Sequence, residues 1–175
     1  MLLYHGVPKR MMGTKLYPLN ELKNVHSELS AEYYEKYSGR EEVTRQVIPI
    51  LNCLWNDVIF FIPIPPDAIN FARESHGLLP IEQEWFVVDS KTLNQSNLLL
   101  FRHRPQWTID AELEKDEYTK LDDLSVVQEA EVQMVPECAI WAMKKFGRKS
   151  MLFGYMPHVL FRGTIETENL ERIHT

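Results

Sequence analysis

The stretch Ile48–Asp67, IPILNCLWNDVIFFIPIPPD, decides how this chain folds. Between Val58 and Ile64, six of the seven residues are large and apolar, with Pro63 the exception. A run this short, bounded by Asn56-Asp57 and Pro65-Pro66, reads as a strand rather than a helix. It lacks strict alternation, which implies burial on both faces and a central place in a sheet. Proline has no N–H to give a ladder, so Pro63 marks the strand's end. Pro65-Pro66-Asp67 then opens a helix: Pro66 suits the first turn, and Asp67 sets negative charge at the positive end of the helix dipole. Just upstream, Asn52, Cys53, Trp55, Asn56 and Asp57 form a mixed group. Either Asn56-Asp57 caps a turn with Trp55 packed on the core, or the group rims a pocket.

Working outward, Leu2–His5 reads as a first strand turned by Gly6 and Pro8, and Thr14–Tyr17 as a second that stops at Pro18. Leu19–Val25 makes one or two helical turns. Ser30–Tyr37 reads as a helix with Ser30 as N-cap and Gly39 as its stop. Arg40–Val47 reads as another helix, with Val43 and Val47 on one face and Pro49 ending it. Downstream of the organising strand, Ala68–His76 is a helix ended by Gly77. Glu84–Val88 and Leu98–Phe101 are strands, and their polar link predicts a hairpin. Val126–Val135 alternates and reads as a strand. Pro136-Glu137 opens a helix over Cys138–Phe146, stopped by Gly147. Met151–Phe153 and Val159–Phe161 are short strands, and Thr167 caps a last helix over Glu168–Ile173. Without a regular βαβ rhythm, this order predicts an α+β fold: one domain over residues 1–175, with a mixed, mostly antiparallel sheet and several short helices.

The chain's 175 residues suffice for one substantial core. A net charge of -6 argues against nucleic acid as the main partner. Arg102–Gln106 is a single local basic patch, and Asp110–Asp123 (DAELEKDEYTKLDD) reads as a solvated acidic face. No window approaches the roughly 18 apolar residues of a membrane span. The opening MLLYHGVPKRMMG has no charged lead before an apolar run, so it reads as a strand rather than a secretory signal. Cys53 and Cys138 lack metal-type spacing and read as reduced, buried thiols of a cytoplasmic protein. No two of the six histidines stand at ligand spacing, so no metal site is expected. Glycine-rich phosphate loops and a G-x-S-x-G elbow are absent from the sequence.

What remains is Tyr4-His5-Gly6 at the end of the first strand, and Glu131 in a later one. A strand histidine can hydrogen-bond a ribose hydroxyl, while a following glycine lets a ligand come close. A carboxylate on a second strand could bind another hydroxyl and stabilise an oxocarbenium-like centre. Trp55 could stack on a flat ring.

The segments LLYHG and EAEVQMVPECAI resemble ADP-ribosyltransferase-like proteins. LLYHG looks like the family's first strand, whose His-Gly contacts NAD. EAEVQMVPECAI looks like the late strand that carries the catalytic glutamate in the DNA-modifying toxins of the family. On that resemblance Glu131 and His5 are the catalytic pair, and Tyr4, His5, Gly6 and Trp55 hold NAD, which serves as substrate. His5 and Glu131 should then line one cleft on a split antiparallel sheet. The departures are the family's middle-strand Tyr or Ser, which has no clear counterpart, and its NAD-binding arginine, for which Arg10 and Arg40 are the candidates. The competing expectation is a non-catalytic interaction module, of the immunity or accessory kind, using Asp110–Asp123 against a basic protein partner and lacking a concave pocket.

Overall fold

A computed structural model describes residues 1–102, 117–146 and 155–175. The fold is α+β and its sheets are antiparallel. Strand β1 (Leu2–Gly6) opens the chain, followed by β2 (Lys15–Leu16), α1 (Leu19–Val25) and α2 (Ser27–Tyr34). Next come the short β3 (Val47–Ile48) and β4 (Cys53–Leu54), then β5 (Ile59–Phe61) and α3 (Pro66–Glu74). The second half holds β6 (Glu84–Asp89), β7 (Leu98–Phe101), β8 (Tyr118–Lys120), α4 (Val126–Val132), α5 (Glu137–Phe146), β9 (His158–Phe161), β10 (Ile165–Glu166) and β11 (Glu171–His174).

Two sheets do most of the work. One has the order β1-β6-β11 and the other β5-β9-β7-β8. Their edges β1 and β5 meet at a single bridge, where Tyr4 and Ile62 exchange two backbone hydrogen bonds of 2.9 Å each. Across that bridge the strands run β11-β6-β1-β5-β9-β7-β8, so the organising strand lies in the middle, as its burial pattern requires. Pro63 follows the bridge at once and ends the pairing. Pro66 stands in the first turn of α3, and Gly77 closes that helix at φ +73° while the Leu78 N–H donates back to the Arg73 carbonyl.

Alternation splits the core into three parts. Leu3, Ile59, Phe61, Phe86, Val88, Leu98, Leu100, Val159 and Phe161 share one continuous face across both sheets. On the opposite side of the first sheet, Tyr4, Trp85 and Val87 pack with Ile64 and Ile69 and with Ala139, Ile140 and Met143 of α5. On the opposite side of the second sheet, Leu99, Phe101 and Leu160 pack with Ile48, Leu51 and Cys53. Cys53 is a buried thiol whose pKa desolvation pushes up to about 11; Cys138 is only half-buried.

Several elements differ from the sequence reading, each for a physical reason. β6 and β7 do not form a hairpin: β6 pairs with β1 and β11, β7 with β8 and β9. Two 3-10 turns, Ser90–Thr92 and Gln95–Asn97, carry the chain from one sheet to the other. Val126–Val132 is a helix, not a strand. Ser125 and Gln128 form a reciprocal capping box, and the Pro136 ring stops any continuation. Glu168–Ile173 is not a helix either. Thr167 starts a tight turn, closed by the Leu170 N–H on the Thr167 carbonyl, and β11 then pairs with β6. Arg40–Val47 becomes a 3-10 turn over Glu41–Arg45 followed by β3. Ser30 lies buried inside α2 rather than capping it. Of the acidic stretch Asp110–Asp123, Glu117 is buried and Tyr118–Lys120 form a strand, while residues 110–116 lie outside the described residues. His103 to Gln106, Gly147 and Met151–Phe153 also lie outside them. No helix among the described residues is long and apolar enough to cross a membrane.

Phe61 is 0% exposed and Phe71, on α3, is 73% exposed. Phe61→Ala is therefore expected to cost about 3–5 kcal/mol in urea unfolding, and Phe71→Ala within about 0.5 kcal/mol of nothing. Equal losses at the two positions would contradict the assignment of β5 to the interior.

Candidate functional site

Below the Tyr4–Ile62 bridge the two sheets part. In a continued antiparallel ladder the Phe60 carbonyl would accept the Gly6 N–H. Instead the His5 side chain spans the gap, with Nδ1 2.8 Å from the Phe60 carbonyl oxygen. A carbonyl only accepts, so Nδ1 carries the proton and Nε2 offers a lone pair. Burial lowers the His5 pKa, partly offset by that hydrogen bond and helped by the charge of Lys36, which keeps the ring neutral. The ring also meets Phe61 edge-on at 5.7 Å.

A pocket of about 680 Å³ opens at this split. Its floor is His5, Gly6, Ile59, Phe60 and His158, and its roof is Leu19, Leu22, Leu29 and Tyr33 from α1 and α2. The roof is held down by polar contacts. Asn20 on α1 accepts from the Tyr34 hydroxyl and donates to Asp57 Oδ1 at 2.6 Å. Asp57 in turn accepts the Leu54 N–H at 2.7 Å through its other oxygen. So Asp57 does cap the turn, while Trp55 and Asn56 beside it line the pocket: both open readings of that segment hold at once.

Trp55 packs on Phe60 at 4.8 Å and stands edge-on to Phe101 at 5.4 Å. Tyr37 also lines the pocket, and desolvation pushes its pKa up to about 12. Asn56 is 1% exposed, and its Nδ2 has no hydrogen-bond partner. His158 mirrors His5: its Nδ1 donates to the Met156 carbonyl at 2.9 Å, and desolvation drives its pKa down to about 4.

Among the described lining residues, five are cationic (Lys9, Arg10, Lys15, Lys36, Arg40) and one, Glu32, is a carboxylate. Arg10 pairs with Glu32 at 2.7 Å, and Lys15 with Glu166 at 2.6 Å. In a chain of net charge -6 this is a local reversal of sign. Neutral acceptors, aromatic faces and surplus positive charge together suit an anionic ligand with hydroxyl groups and a flat ring.

Of the residues singled out from sequence, His5, Gly6 and Trp55 meet at this pocket, together with Asn56 and both candidate arginines, Arg10 and Arg40. Gly6 acts differently from expectation: a Cβ there would stand 2.8 Å from Gln83 Nε2, so its missing side chain makes room for the Gln83 amide. Tyr4 faces the other way, buried with Trp85 and Ile69, because neighbouring strand residues point to opposite faces. Glu131 is exposed on helix α4 and does not line the pocket, so the structure does not bring it together with His5. The sequence places Asn56 in a group that could rim a pocket and His158 between two late strands within reach of the cleft of His5, and both line it; Lys36 was missed. The signal for Lys36 was weak: a cation one helical turn before Arg40. No group of three or more His, Cys, Asp or Glu among the described residues is placed to hold a metal ion.

Because the folded pKa of His158 lies below its unfolded value, the unfolded chain binds more protons between about pH 4 and 6.5. Stability is therefore expected to be full above pH 6.5 and to fall as pH drops toward 4. His158→Asn, which keeps a donor for Met156, should flatten that fall in melting temperature; an unchanged slope would refute the assignment. Comparison with protein-family models, with curated proteins and with solved structures finds no match.

Proposed function

We propose that the chain binds NAD in the pocket at the split, as an ADP-ribosyltransferase-like protein. One observation carries the reading: the Phe60 carbonyl holds the Nδ1 proton of His5 while burial lowers the ring's pKa, which leaves Nε2 to accept, in a pocket with aromatic walls and a cationic lining. Each part of the dinucleotide meets matching chemistry. A ribose hydroxyl donates to His5 Nε2, the nicotinamide ring lies on Trp55 and Phe60, and the diphosphate faces the cations. The likeness of LLYHG to the family's first strand points the same way.

Transfer of ADP-ribose to an acceptor has less support. It asks for a carboxylate beside the breaking bond. Glu131 stands outside the pocket, and Glu32 is tied to Arg10. The reading is therefore one of NAD binding first. A concave pocket with converging polar groups favours it over an interaction module using the acidic stretch.

Calorimetric titration with NAD tests this, together with His5→Asn. Asparagine keeps a donor for the Phe60 carbonyl and removes the Nε2 acceptor. Wild type should bind saturably, and the variant should fold but bind about 5- to 30-fold more weakly, the worth of one hydrogen bond of about 1–2 kcal/mol. Absence of saturable binding by wild type at millimolar NAD would overturn the reading.

A further inference from the structure

Lys36 and Arg40 stand together in the pocket wall with no carboxylate as partner in any ion pair found among the described residues. Both cations converge on one ring: Lys36 Nζ lies 5.0 Å from the Tyr37 ring centre and the Arg40 guanidinium carbon 5.7 Å from it. Arg40 is held in place by its own turn, donating from Nε and Nη2 to the Lys36 carbonyl at 3.0 and 2.9 Å. That leaves its Nη1 edge for another acceptor. Tyr37 is itself buried in the fold, at 7% exposure. Both cations are thus mounted on a pre-organised base.

Both cations lie within about 6 Å of one ring centre, and like charges gathered there repel. The Lys36 pKa is held down, first by desolvation against the pocket wall and then by the charge of Arg40. The charge of Lys36 also reaches His5. Neither cation is in an ion pair found among the described residues, and an anion drawn to both would relieve this repulsion.

We propose that Lys36 and Arg40 form the phosphate-binding subsite of the pocket, so that its ligand carries a phosphate or diphosphate group next to the hydroxyl held by His5. This rests on the NAD reading for the identity of the whole ligand, but not for the chemistry of the subsite. Arginine supplies a directional fork and lysine a point charge, a pairing suited to adjacent phosphoryl oxygens.

The test compares wild type with the double variant Lys36→Gln/Arg40→Gln. Lys23→Gln/Lys91→Gln, outside the pocket, serves as a control that removes the same charge. Inorganic pyrophosphate and NAD are the probes, read by thermal shift and calorimetry over a range of salt. Pyrophosphate should raise the melting temperature of wild type and of the control, and leave the pocket variant unmoved. NAD affinity should fall at least about tenfold in the pocket variant, and its salt dependence should shrink. Pocket-dependent pyrophosphate binding without any NAD binding would uphold the subsite and sink the dinucleotide. Unchanged NAD affinity in the pocket variant, equal pyrophosphate shifts in all three proteins, or no effect of either probe on wild type would overturn the subsite.

Discussion

Everything in this fold depends on how β1 is joined to β5. One pair of backbone hydrogen bonds, between Tyr4 and Ile62, closes the seam between the two sheets. A second contact, from the His5 ring to the Phe60 carbonyl, keeps it from being wasted where the strands diverge. Without the imidazole, that carbonyl would face the pocket with no backbone donor opposite it. A buried carbonyl left unpaired costs about 1–3 kcal/mol, so the histidine has a structural duty as well as a chemical one. The same bond decides the tautomer, and the tautomer decides what the pocket can recognise.

The helical pair α1 and α2 turns the seam into a site. Its roof is anchored by Asn20, Tyr34 and Asp57, and its last residues lead straight into Tyr37 and Arg40. Aromatic side chains from two separate stretches of the chain, Tyr37 from one and Trp55 and Phe60 from the other, therefore close on one space. The surrounding charge is arranged against the average: an acidic protein has gathered cations around this pocket.

Much of the scaffold was legible in the sequence because its cause is local. The unbroken apolar run 58–62 could only be interior, and Pro63, Pro66 and Gly77 acted where their backbone chemistry required. Other elements, three of them instructive, came out differently from their local reading. Strand partners are set by packing, so β6 and β7 looked like a hairpin and went to different sheets. Val126–Val132 has an alternating pattern, yet the Ser125-Gln128 box outweighs it. Thr167 begins a turn as well as it begins a helix, and only the free edge of β6 chose between them. The site was half legible. His5 and Trp55 carry chemistry visible in isolation. Tyr4 could have been excluded from the start, since a strand cannot aim two successive side chains into one hollow. Arg40 was named only as one candidate arginine, and Lys36 was hidden, because their meeting depends on a 3-10 turn and on Gly39 at φ +78° rather than on any motif.

The hydrophobic layer that runs unbroken beneath both sheets has a mechanical consequence. Leu3, Phe61 and Val159 bind the two halves together on one side, whereas the other side is divided into separate clusters with a gap between them. Such a plate resists shear along its glued side and yields most readily by flexing about it, in the manner of a book held by its spine.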